Sequence, residues 1–114
     1  MCVLKILRRR IYEFKEGGIA LFSGDKYLTR GVQSDIPIEL QIFMWSCVNA
    51  LPEPRDYLQI FRLSLSDGKQ IIVHEQEQPE YKKEYTLNVE APVTAKVYVI
   101  DDGDHCTMLL AEEY

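Results

Sequence analysis

Beyond Pro54 the apolar residues of this chain stop recurring at helical spacing, recur at every second position, and never revert. That switch is the strongest constraint on the fold, because a period near 3.6 marks a half-buried helix and a period of two a half-buried strand. Before it lies a helix predicted from about Ile36 to Leu51, closed by Pro52 and Pro54. After it come Tyr57–Leu65, Gln70–Gln78, Glu84–Val89, Thr94–Asp101 and His105–Ala111, all strand-like. Ser66-Asp67-Gly68-Lys69 and Asp102-Gly103 read as hairpin turns, and Pro79–Lys83 as a loop or bulge. A further strand, Lys26–Val32, precedes the helix and is expected to end at Gly31, with Ser34 and Asp35 as capping residues and Pro37 in the first turn.

The order is therefore β-α-β-β-β-β-β with short connections. Short connections favour antiparallel neighbours, since parallel pairs need long crossovers. One face of the sheet needs a cover, and the helix is the candidate. The expected class is α+β: a curved antiparallel sheet of about five to six strands wrapped around one main helix, roll-like in shape.

The helix carries two apolar sets. Ile36, Leu40, Phe43, Met44, Cys47, Val48 and Leu51 form the broad face expected to pack on the sheet. Ile38, Ile42 and Trp45 form a second stripe on nearly the opposite side. Surface helices rarely carry two apolar faces, so this stripe is read as a partner or self-association surface. Replacing Trp45 by Glu would then give a monomer without unfolding.

The first twenty residues stand apart. They hold five Lys/Arg and two Asp/Glu, which leaves eight basic and sixteen acidic residues in the rest. Val3, Leu4, Leu7, Ile11 and Phe14 recur at helical spacing with the basic residues mostly off that stripe, and Gly17-Gly18 would end such a helix. This segment reads as a basic amphipathic helix lying on a membrane surface, as a helix docked on the domain, or as an upstream start-site artefact. Lys15-Glu16-Gly17 can be encoded by a purine-rich run like a bacterial ribosome-binding site, and Leu21 follows where an internal TTG start would fall. Residues 1–21 are accordingly set apart as an extension, and 22–114 as a single domain.

A net charge of −5 argues against a sequence-independent grip on nucleic-acid phosphates. No apolar run reaches the roughly 18–20 residues that span a bilayer, so stable membrane insertion is not expected. Cys2, Cys47 and Cys106 show no metal-site spacing and read as thiols of a reducing, cytoplasmic compartment.

Candidate chemistry is sparse. His74-Glu75 opens like H-E-x-x-H, but Gln78 stands where the second His belongs, and neighbours on a strand point to opposite faces. Asp101–His105 is acidic, yet its Gly comes too early for a calcium loop. Around PEYKKEY, Glu77, Glu80 and Glu84 offset the two lysines that could otherwise serve single-stranded nucleic acid, so the segment reads as a half-exposed strand edge. No nucleophile elbow or phosphate-cradling glycine loop is present. No catalytic residue, metal or cofactor is assigned. Two functions remain: a non-enzymatic protein-interaction or self-assembly module using Ile38, Ile42 and Trp45, and a small-molecule-binding roll whose pocket between helix and sheet draws polar groups from Tyr57, His74, Tyr85 and Tyr98.

The segments TRGVQSDIPIELQIFMW, DYLQIF, DGKQIIVHEQEQPEYKKEY and AKVYVIDDGDHCTMLLAEEY resemble the domain of unknown function 960, small proteins of low-GC Gram-positive bacteria. The likeness covers roughly residues 26–114, and the closing VIDDGD-TMLLAEEY block is its most specific part. Members typically begin a few residues before the strand matching Lys26–Val32, which leaves residues 1–20 outside the family pattern. The resemblance implies an α+β roll and no activity, with no catalytic residues to carry over.

Overall fold

The computed structural model describes the backbone of residues 3–5 and all of residues 25–114. The expected amphipathic segment and the proposed start at Leu21 lie outside the described residues, except that Val3–Lys5 is a strand rather than helix. Seven strands form one sheet: β1 (Val3–Lys5), β2 (Asp25–Thr29), β3 (Leu58–Ser66), β4 (Lys69–Gln76), β5 (Tyr81–Leu87), β6 (Ala95–Asp101) and β7 (His105–Leu110). Their spatial order is β1-β2-β7-β6-β3-β4-β5. Two helices, α1 (Arg30–Asp35) and α2 (Ile38–Ala50), connect β2 to β3.

The expected α+β class and single main helix hold. All pairings are antiparallel save one: β2 lies parallel to β7. The helical crossover makes β2 and β3 run in the same direction, and the β6–β7 hairpin fills the space between them. An antiparallel hairpin inserted between two parallel strands meets one of them in parallel.

The hairpin signals are realised locally. Asp67 (φ 52°) and Gly68 (φ 75°) both adopt the left-handed conformation, which matches the twist of the flanking β3 and β4. Pro79 follows β4 in the connection to β5, and β5 begins at Tyr81, earlier than expected.

The strand before the helices is shorter than expected and Gly31 lies inside α1. Ser34 and Asp35 do not cap the main helix; Ser34 hydrogen-bonds Asp35 on the surface (2.8 Å). The capping role falls to Thr29, whose hydroxyl accepts the Val32 N–H (3.3 Å) at the start of α1. The chain then bends at Ile36-Pro37, where Gln41 Nε2 donates to Ile36 O (2.8 Å) and Val32 O (3.4 Å). That buried amide ties the two helices: it satisfies Ile36 O at the bend and adds a second donor to Val32 O, which already accepts the Ile36 N–H (3.0 Å).

The C-terminus closes the same corner. Glu113, in a 3-10 turn (Ala111–Glu113), accepts from the Thr29 hydroxyl (2.5 Å), the Leu110 N–H (2.9 Å) and the Gly31 N–H (3.2 Å). Gly31 is required here: a Cβ would come within 2.6 Å of Glu113 Oε2 and 2.8 Å of Leu110 Cδ1. The Glu113→Ala protein is expected to lose about 2 kcal/mol in urea unfolding, because three donors lose one shared acceptor. An unchanged midpoint would show that the clamp contributes nothing.

The core lies between α2 and one face of the sheet, here the inner face. Leu40, Met44 and Val48 meet Phe61, Leu63, Ile72, Val97, Val99, Cys106 and Met108, all at most 2% exposed. These strand residues alternate with outer-face neighbours, as a period of two demands.

Candidate functional site

The stripe Ile38, Ile42 and Trp45 does not form one exposed patch. Ile38 is 61% exposed and Ile42 half-buried, but Trp45 is 2% exposed. The helix is packed over a wider arc than a single apolar face. Leu40, Met44 and Val48 cover the sheet, while Gln41 and Trp45, one step around, are buried beside them. Trp45 packs toward β2, where the Lys26 ammonium lies 5.6 Å from its ring centroid. Its Nε1 has no hydrogen-bond acceptor among the described residues.

The pocket residues are also separated. Tyr57 is exposed just before β3. Tyr98 faces outward, edge-on to the C-terminal Tyr114 (5.6 Å) and beside Ile60 of β3. His74 and Tyr85 share the inner face on adjacent strands, where His74 opposes Lys83 and Ile72 opposes Tyr85.

His74 is fully buried and stacks on Phe61, with centroids 4.3 Å apart and planes 14° from parallel. A chain of hydrogen bonds sets its tautomer. The Asp56 N–H donates to Gln76 Oε1 (3.0 Å), which fixes that atom as oxygen. Gln59 Nε2 then donates to Gln76 Oε1 and to Asp56 O (both 2.8 Å). Gln59 Oε1 is left to accept from His74 Nε2–H (2.7 Å). The proton sits on Nε2, and Nδ1 is a bare lone pair with no partner among the described residues. Burial drives the imidazole down to about 4, against a smaller upward pull from Glu75, so His74 is neutral at pH 7.

Beside this network a cleft of about 350 Å³ opens at the far end of the β4–β5 hairpin. Glu75, Gln76, Glu77, Glu80, Tyr81 and Lys82 line it. Glu75 also pairs with Arg62 across the outer face (2.5 Å).

The least covered element is β5. It ends the sheet among the described residues, and positions 82, 83, 84 and 86 are exposed. Its inner side faces α2: Tyr85 meets Phe43 edge-on (5.0 Å), on the side of β5 where Cys47 and Tyr81 influence its phenol. Burial raises the Cys47 thiol, opposed by the Tyr85 hydrogen bond; burial first, then Cys47 and Tyr81, raises the Tyr85 phenol. Both stay protonated at neutral pH. Phe43, Cys47, Tyr85 and Leu87 are only partly buried against the core, which leaves a row of partly exposed side chains beside the strand edge.

Sequence reading takes the PEYKKEY segment as a half-exposed strand edge, and β5 does end the sheet among the described residues; what it did not supply is the strand order. Strand order is set by contacts between distant segments, and the one local hint was the pair of lysines common on edge strands. Among the described residues no helix is long and apolar enough to cross a membrane, and no group of three or more His, Cys, Asp or Glu is placed to hold a metal ion.

Comparison with known proteins bears on the fold. A family model described as a staphylococcal protein of unknown function (DUF960) matches residues 25–113. A solved structure of a protein of unknown function from Enterococcus faecalis is similar with a TM-score of 0.70 at 24% identity, covering 78% of this chain and 89% of that one. No curated protein matches.

Proposed function

The chain belongs to the DUF960 family, and from that premise we propose that it is a non-enzymatic cytoplasmic module that binds another protein chain through the free edge of its sheet. The carrying observation is β5: an end strand with positions 82, 83, 84 and 86 exposed, flanked by the partly open row of Phe43, Tyr85 and Leu87. Unpaired strand edges bind extended peptides through main-chain hydrogen bonds, with alternate side chains entering a neighbouring groove. Binding suits the state of the reactive groups better than catalysis does. His74 is buried with its proton committed to Gln59, the Cys47 thiol is held protonated, and Cys106 is fully buried in the core.

The alternative, a small-molecule pocket between helix and sheet, has less support, since that interface is filled by core side chains at most 2% exposed. What favours a ligand at all is the cleft at Glu75–Lys82, which lies beyond the end of that interface and is lined by charge.

Amide hydrogen exchange on labelled protein tests the edge reading. Compared dilute in buffer and dilute in clarified host lysate, amides of residues 81–87 are expected to slow in lysate while those of β3 do not change. Unchanged exchange in β5, in lysate and in concentrated pure protein alike, would sink the proposal.

A further inference from the structure

Resting on the edge-binding reading, we infer that the partner is a second copy of this chain, joined β5 to β5 across a two-fold axis into one continuous sheet. The argument comes from the charges along the edge. In β5, Lys82 and Glu84 lie on the outer face, and Tyr81, Lys83 and Tyr85 on the inner face. A two-fold axis perpendicular to the sheet keeps outer beside outer, so only registers centred on one residue are allowed.

Those registers are not equivalent. Centring on Lys82 opposes that lysine to itself, and centring on Glu84 opposes that carboxylate to itself. Centring on Tyr85 faces Glu84 with Thr86 and Lys83 with Leu87. Centring on Lys83 alone faces Lys82 with Glu84 twice on the outer side and Tyr81 with Tyr85 twice on the inner side. Opposite-charge and aromatic cross-strand pairs are the favourable ones. The cost is Lys83 beside its own copy at the axis, where each ammonium already lies 5.3 Å from the centroid of its own Tyr85 ring.

Lysine on an edge strand ordinarily opposes such pairing. Here Glu84, two residues on and on the same face as Lys82, makes the edge complementary to itself. Both residues are exposed and form no ion pair among the described residues, so their charges are available to the second copy.

Sedimentation velocity on the full chain, from about 5 μM to about 1 mM, reads the association. The native protein is expected to pass from monomer to dimer over that range. K82E opposes Glu to Glu84, E84K opposes Lys to Lys82, and each is expected to weaken the dimer at least about tenfold. K82E/E84K together should restore it, with circular dichroism confirming that every variant is folded. A native protein that stays monomeric overturns the inference. If residues 81–87 are nonetheless protected in lysate, the edge-binding reading survives with a different partner; if they are not, both fall. A dimer indifferent to all three variants also overturns it, since the interface then lies elsewhere.

Discussion

Trp45→Ala is expected to cost about 3–5 kcal/mol of folding stability, the largest single-residue loss among the helix positions discussed. Trp45 is 2% exposed, and truncation leaves a cavity that the flanking Gln41, Lys26 and core residues are too constrained to fill. Domains of this size hold only about 5–15 kcal/mol in total, so the variant should unfold at much lower urea. Far-ultraviolet circular dichroism is the measurement, because the substitution removes the chain's single tryptophan. Ile38→Ala, at a position 61% exposed, should stay within about 0.5 kcal/mol of native. Equal small losses at both sites would show that Trp45 is not packed as described. The same burial reverses the expectation for Trp45→Glu: it should unfold the domain, so its effect on oligomeric state says nothing about a partner.

The second large effect is a pH dependence. Folded His74 titrates at about 4, whereas an unfolded histidine titrates near 6.5. As pH falls below about 6.5 the unfolded chain takes up a proton that the folded chain refuses until about pH 4. Stability therefore declines through that window and the loss levels off below it, reaching about 3 kcal/mol. The cause is structural: Nε2 already donates to Gln59, so a second proton would sit on Nδ1 without an acceptor among the described residues, inside the core. Urea midpoints of native and His74→Gln proteins between pH 7 and 4 check this. The native curve should fall more steeply, and parallel curves would refute it.

His105 works in the opposite direction and a different window. Its imidazole is raised, first by the hydrogen bond to Asp104; burial opposes this, and the charges of Asp102, Asp104 and Asp101 add to the rise. Its contribution is complete below about 6.5 and is lost as pH rises through its raised value. Its side chain stands 40% exposed at the start of β7, so solvent screens it and its share is small. The steep part of the acid-side curve thus belongs to His74.

The sequence by itself determined the features that depend on neighbours a few residues apart. Leu40, Met44, Val48 and Leu51 announced the core face of α2, because residues three and four apart share a side of a helix. Asp67-Gly68 announced the β3–β4 hairpin, since few residues other than Gly and Asp tolerate its positive φ. Period-two runs announced five of the strands, and with one covering helix they gave the α+β class. What only the tertiary structure decided depends on segments far apart in the chain. The parallel β2–β7 pairing follows from which hairpin fills the space left by the crossover. Trp45 left the predicted surface because β2 lies beside α2, so that a second apolar stripe found a wall rather than solvent. Tyr98 and His74 were grouped as pocket residues but point to opposite faces, a parity that register alone fixes. The edge at β5 lies between the two cases: the charged PEYKKEY segment suggested it locally, but whether a strand has one neighbour or two is a property of the whole sheet, fixed only by the strand order.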